Sequence, residues 1–420
     1  MKTLRTSMSS NSCAMAISKR RETLRERTSS SIPTVFDARK WGKLRNRQID
    51  RLPRGLLSIA FVTCLATPPY LPRDRTASAN NAAILHRAPR TETRDHPSAA
   101  ADTRFTLASE TTVGLHNAYE PAGFKYLAQA LDTGTGMIEL DVWGETIFHE
   151  WKVSHTNPLG NQNNCVHASS ADQLYSGSAN EDLESCLDNI RLWLGAHPGS
   201  GPLIVKIELK AGFSANLGMG PAWLDTSVRN HLGSIVYRPA DLLAKPDGGQ
   251  YATLDEAARA GNWPDRAHLA GKVILEIIPG TFEESNPFDT LGTDVEYSRY
   301  LRDLVATGNE GQAQIFPSVH GAAAGDPRDK YTDASIRPWF VVFDGDASAF
   351  VRFDTAWYDV NHYLVLMTDA QNVAPAISTT NPSEAEARAR VTQLAAAHAT
   401  VVSSDWRSLP GVQSLVPPRG

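Results

Sequence analysis

The sequence predicts an α/β protein folded as a (β/α)8 (TIM) barrel, and three observations carry that prediction. Short apolar runs rich in β-branched residues recur along the chain from Phe105 onward. Helix-like stretches lie between many of them, as in Asn180 to His197 and Pro382 to His398. The segment that holds them is roughly 310 residues long, above the ~250 that eight strand-helix units usually occupy. A doubly wound open sheet is the structural alternative. The chain has no fixed-period repeat, and it lacks the glycine patterns of dinucleotide and P-loop sites and the GxSxG of serine hydrolases.

Before the barrel comes a basic leader. Met1 to Arg54 carries 14 Lys and Arg against 4 Asp and Glu, and with a formal total of −5 everything after Arg54 stands at −15. The leader is rich in Ser, Thr and Arg and short of aromatics, so it has little surface to bury and is predicted disordered. It runs into an apolar segment of 12 residues, Gly55 to Ala66, preceded by Arg47, Arg51 and Arg54. That is too short for a membrane span of ~20 residues and suits the apolar region of a signal peptide. Its distance from Met1 implies a long basic region or a start downstream of Met1. Small residues at Ala77-Ser78-Ala79 offer a cleavage site. The predicted division is a leader with a signal-peptide-like segment over 1–79, a polar linker over 80–104, and a barrel domain over 105–420.

Export predicts a secreted protein whose remaining cysteines are Cys165 and Cys186. In an oxidising compartment they would form a disulfide, worth about 3 kcal/mol by chain entropy. In a cytosolic protein they would instead be two buried thiols. Neither lies in a CxxC pattern of the kind a zinc site uses.

The strands are predicted in order at Thr111–Tyr119, Gly136–Trp143, Trp151–His155, Pro202–Lys210 and Lys272–Ile278, then at Ala313–Val319 or Trp339–Gly345, and last at Tyr363–Asp369 and Ala399–Trp406. In the second, alternation puts Glu139 and Asp141 on the face opposite Ile138, Leu140 and Val142. Packing that apolar face against helices turns both carboxylates inward, where they repel unless a cation joins them. The fourth repeats the pattern, with Lys206, Glu208 and Lys210 on one face. Glu139, Asp141 and Glu208 with the amide oxygen of Asn117 make an all-oxygen set, suited to Ca2+ or Mg2+ and unsuited to zinc or copper. His116 ends the first strand and His155 the third, which places both at the C-terminal mouth where barrel enzymes keep their sites. His149, His167, His320 and His362 read as surface or core residues. The stretch beginning at Asp344 lacks the glycine and glutamate of an EF-hand loop.

The runs His116–Tyr119, Ile138–Trp143, Val153–Asn157 and Ile204–Lys210, in this order, resemble the catalytic core of phosphoinositide-specific phospholipases C. The likeness is to the secreted, single-domain, Ca2+-dependent type within the PLC-like phosphodiesterase superfamily. It covers Gly114 to Lys210 best, with weaker agreement at Val401–Trp406. The resemblance implies His116 and His155 as the catalytic pair, Asn117, Glu139, Asp141 and Glu208 as Ca2+ ligands, and Lys210 as a phosphate contact. It also implies cleavage of phosphatidylinositol to diacylglycerol and inositol 1,2-cyclic phosphate. A disulfide between Cys165 and Cys186 would then stiffen a loop bordering the site.

A monomer that meets phospholipid transiently at a membrane surface is the expected state. The acidic balance argues against strong attraction to anionic lipid, and no basic patch or aromatic motif outside the leader recommends nucleic acid. Two rival functions remain. A glycerophosphodiester phosphodiesterase or a phospholipase D-type enzyme shares the acidic strand and the histidines, but usually opens with His-Arg where this chain has His116-Asn117. A secreted, non-catalytic lipid-binding barrel is the rival from another class, and the full set of histidines and oxygen donors speaks against it.

Overall fold

In the computed structural model, nine strands carry the fold, and the structure describes residues 106–283, 289 and 291–420. The leader, its signal-peptide-like segment and the polar linker lie outside the described residues. The strands are β1 (Thr112–Leu115), β2 (Met137–Glu145), β3 (Glu150–Val153), β4 (Leu203–Leu209), β5 (Val273–Pro279), β6 (Ile315–His320), β7 (Val342–Asp346), β8 (Leu364–Thr368) and β9 (Val401–Ser404). Their order is β1-β9-β8-β7-β6-β5-β4-β2-β3, and β1 also pairs with β2. Every pairing except β2 with β3 is parallel, so eight strands close into a barrel.

Two strand expectations need correction. Trp151–His155 is no barrel strand: β3 pairs antiparallel with β2, Val142 opposite Val153 and Glu145 opposite Glu150. The physical reason is loop length. Only Thr146 to His149 separate the two strands, and a parallel return needs a crossover of a dozen residues or more. The turn is tied by the Glu145 carboxylate, which accepts from the backbone N–H of Ile147 (2.8 Å) and Phe148 (2.7 Å). The place left in the barrel is filled because Ala313–Val319 and Trp339–Gly345 both supply strands, β6 and β7, where one was expected.

Four helices among the described residues exceed ten residues: α1 (Leu183–Ala196), α2 (Pro221–Leu232), α3 (Thr293–Ala306) and α4 (Glu384–Ala396). The predicted stretches Asn180–His197 and Pro382–His398 hold α1 and α4, each trimmed by its cap. Asp182 accepts from the Ser185 N–H, and Ser383 and Glu386 form a reciprocal capping box. Leu187 and Ile190 of α1, Leu224 and Val228 of α2 and Tyr297 of α3 pack with Leu140, Ile207 and Leu275 of the barrel's outer face. A Cys165–Cys186 disulfide fastens the loop after β3 to α1. Among the described residues, no helix is long and apolar enough to cross a membrane.

Register orders the interior into layers. Met137, Ile204 and Ile274 face one another at the floor, with Glu139, Lys206 and Glu276 above them and Asp141 and Glu208 above those. At the floor a β-carbon on Gly114 would stand 2.9 Å from Met137 Cε and 3.1 Å from Val401 Cγ1, so β1 approaches its neighbours only as glycine. Above this floor the interior is charged, and it opens at the C-terminal ends of the strands.

Candidate active site

The site begins where β1 ends. His116 follows Leu115 and is half exposed at the mouth. Its Nδ1 lies 3.2 Å from Asp405 Oδ1, just beyond β9, and its Nε2 lies 3.5 Å from Glu139 Oε2. Arg407 steadies the outer carboxylate, with its Nη2 2.9 Å from Glu120 and 3.4 Å from Asp405. Burial works against a charged imidazole, but the charge of Glu139 and the bond to Asp405 outweigh it, pushing the His116 pKa up to about 9 in the metal-free chain.

Asn117 turns the chain out of the strand in a left-handed conformation (φ 48°) that asparagine tolerates better than most residues. Its side chain is buried, and Oδ1 has no hydrogen-bond partner. Glu139 Oε2 and Asp141 Oδ1 are likewise buried without one. One ligand oxygen from each of Glu139, Asp141 and Glu208 falls within 4.8 Å of the others. Burial, then repulsion from Glu139 and Glu208, lifts the Asp141 pKa to about 7 against the pull of Lys210. Orphaned buried oxygens, all of them hard donors, fit a Ca2+ ion.

The chain's own cations hold part of this charge. Lys210 Nζ lies 2.8 Å from both Asp141 and Glu208. Lys206, fully buried, lies 3.2 Å from Glu139 on one side and 3.0 Å from Asp344 of β7 on the other. Burial alone would raise Asp344, yet Lys206 and His320 hold it below the usual carboxylate range. Glu276, bonded to the Ser318 hydroxyl, is pushed up to about 8 by burial and by the charge of Asp344.

The sequence-predicted residues are thus mostly brought together. His116, Glu139 and Glu208 line one cleft of about 710 Å3, a size suited to a small-molecule head group. Asp141 and Lys210 lie buried beside it. His155 stands apart, exposed in the loop after β3 and outside the lining of that cleft. The backbone carries it close in level: Ser154 N–H donates to the Asp141 carbonyl (3.1 Å), and Trp143 Nε1 donates to the Ser154 carbonyl (2.7 Å). Sequence reasoning missed Asp405, Asp344 and the cleft position of His320. A single acid at the end of an otherwise apolar strand, in "VVFDG" and "VVSSDW", was the available signal.

The model of the family "Phosphoinositide phospholipase C, Ca2+-dependent" matches residues 164–285. Among solved structures, a Ca2+-dependent phosphatidylinositol-specific phospholipase C from Streptomyces antibioticus is 53% identical, covering 75% of this chain and 99% of that one at a TM-score of 0.72. A calcium-dependent phosphoinositol-specific phospholipase C from Pseudomonas sp. shares the fold at 19% identity and a TM-score of 0.55, over 75% of this chain and 96% of that one. Comparison with curated proteins gives no match. The glycerophosphodiesterase and D-type reading gains no support from these likenesses. With the acidic cluster, the barrel and near-complete coverage of the Streptomyces enzyme in agreement, the chain belongs to the Ca2+-dependent phosphoinositide-specific phospholipase C family.

Proposed function

We propose that this protein is an exported phosphodiesterase that cleaves phosphatidylinositol to diacylglycerol and inositol 1,2-cyclic phosphate in the presence of Ca2+. The observation that carries the reading is the cluster of buried, unpartnered oxygens on Asn117, Glu139 and Asp141 beside His116. With Glu208 these residues would hold the ion. Bound Ca2+ supplies positive charge that stabilises a phosphate oxygen and makes the inositol 2-hydroxyl more acidic.

The chain's own residues handle the protons. The ring 2-hydroxyl oxygen bonds to phosphorus as the bond from phosphorus to the glycerol oxygen breaks. His116 takes the hydroxyl proton on Nε2, the ring nitrogen on the cleft side that Asp405 does not hold. His155 gives a proton to the departing glycerol oxygen. Lys210 steadies the phosphate from behind Asp141. In the metal-free chain the pKa near 9 keeps His116 cationic at neutral pH, and neutralising Glu139 removes the main charge that keeps it so.

Membrane contact comes from the rim. Ile147 (79% exposed) and Phe148 (73%) form the tip of the β2–β3 hairpin, and Leu159 (91%) follows His155. Apolar side chains this exposed on one side of a charged mouth suit shallow entry among lipids. The disulfide supports an oxidising, extracellular setting.

The test is phosphodiesterase activity on phosphatidylinositol vesicles with Ca2+ and with excess EGTA, products followed by 31P NMR. A calcium-dependent cyclic phosphate signal is expected. A linear monoester or a free head group would move the chain to glycerophosphodiesterase or D-type chemistry, and no product at all would overturn the enzymatic reading. His116→Ala, His155→Ala and Glu139→Gln should each remove most turnover while leaving the fold intact by circular dichroism.

A further inference from the structure

We propose that His320 is a substrate-contacting residue that recognises a hydroxyl of the polyol head group from the side of the cleft opposite His116. The proposal rests on the reading above that the cleft takes a phosphatidylinositol head group. His320 is the last residue of β6 and pairs in register with Asp344 of β7. Its Nδ1 lies 3.4 Å from Asp344 Oδ1, and its side chain remains half exposed, lining the same cleft as His116. Lys330 Nζ donates to the His320 carbonyl (2.8 Å), which fixes the strand end on which the imidazole is mounted.

The surroundings explain why a simple structural role is the weaker account. Asp344 is completely buried, and burying a carboxylate with a lysine is at best neutral for stability compared with apolar packing. Here the pair sits at the mouth. Asp344 lines the cleft beside His320, and its partner Lys206 is shared with Glu139, which faces His116. A continuous line of polar side chains therefore joins the two histidines: His116, Glu139, Lys206, Asp344, His320, with successive separations of 3.5, 3.2, 3.0 and 3.4 Å.

Nδ1 faces Asp344, which leaves Nε2 as the ring nitrogen available to the cleft. A ring hydroxyl both donates and accepts, so it can pair with that nitrogen whichever ring nitrogen carries the proton. Thr368 and Asp369, also on this wall, add further hydroxyl and carboxylate partners for a polyol.

The experiment measures KM and kcat of the full chain on phosphatidylinositol in detergent mixed micelles with saturating Ca2+, for wild type, His320→Phe and His320→Asn. Calcium affinity by calorimetry and the melting temperature are recorded for each. The expected result is a KM about 10-fold higher in His320→Phe, with kcat within twofold and calcium affinity unchanged, and partial recovery of KM in His320→Asn, whose amide can still hydrogen-bond a hydroxyl. An unchanged KM, with or without a lower melting temperature, overturns the proposal and leaves His320 a structural residue. A loss confined to kcat also overturns it, because it would make the imidazole a proton carrier. An inactive wild type would instead sink the functional reading on which this one rests.

Discussion

At His116 two carboxylates divide one imidazole: Asp405 holds Nδ1, and Glu139 faces Nε2 at 3.5 Å. Only the second is a proposed metal ligand, so the two can be separated by mutation. Asp405→Asn should lower kcat by on the order of 10- to 100-fold with little change in calcium affinity, since it loosens the orientation of the imidazole alone. Steady-state kinetics beside calorimetry checks this, and a matching loss of calcium binding would show that Asp405 acts through the metal site. Glu139, Asp141 and Glu208 were legible in the sequence because strand alternation leaves an inward carboxylate no apolar neighbour to share its face. Asp405 was not, since its partner lies 289 positions away and only barrel closure brings β9 beside β1. His320 was set aside for the same reason: nothing local distinguishes it from a surface histidine until β7 supplies Asp344.

Among the elements, α2 and α3 meet through a buried polar contact, where the Tyr297 hydroxyl donates to Asp225 at 2.8 Å. Burial raises the Asp225 pKa from 3.8 to about 7, partly offset by that hydrogen bond. With the folded value above the unfolded one, the group's contribution is most favourable below about pH 4 and is lost as the pH rises through about 7. The unfolding free energy of wild type relative to Asp225→Asn should therefore fall between pH 5 and pH 8, by on the order of 2 kcal/mol. Chemical denaturation at the two pH values measures it, and a flat difference would mean that Asp225 is ionised in the folded protein. The Cys165–Cys186 disulfide closes a loop of 21 residues, so its reduction should cost about 3 kcal/mol and lower the melting temperature. Strand identity was readable wherever a β-branched run stood alone. It failed at β3, whose composition is that of a barrel strand and whose short turn alone decides its direction.

At the scale of the molecule, barrel closure was legible from the count of strand-helix units, while the charged interior depended on register. The proposed ligands come from three segments, just past β1 and within β2 and β4, so an ion held there binds the folded chain and not the unfolded one. Calcium at about 100 times its dissociation constant should add about 2.7 kcal/mol to global stability, seen as a melting temperature that rises with Ca2+ and returns with EGTA. Ile147→Ser with Phe148→Ser should weaken sedimentation with lipid vesicles several-fold and leave cleavage of micellar substrate intact; equal losses in both assays would place the hairpin in the chemistry. That hairpin is the feature with the widest reach. The barrel seals through β1 and β2 without β3, so the turn from Thr146 to His149 lies outside the closing seam, and it is anchored at its far end, where His149 Nε2 meets the Leu217 carbonyl (2.9 Å) and Trp223 Nε1 donates to the His149 carbonyl (3.2 Å). Ahead of that anchor its apolar tip can change, or be exchanged between related enzymes, without resetting the shear of the barrel. Preference for one kind of surface can then be engineered or evolved at Ile147 and Phe148 while the charged interior keeps its register.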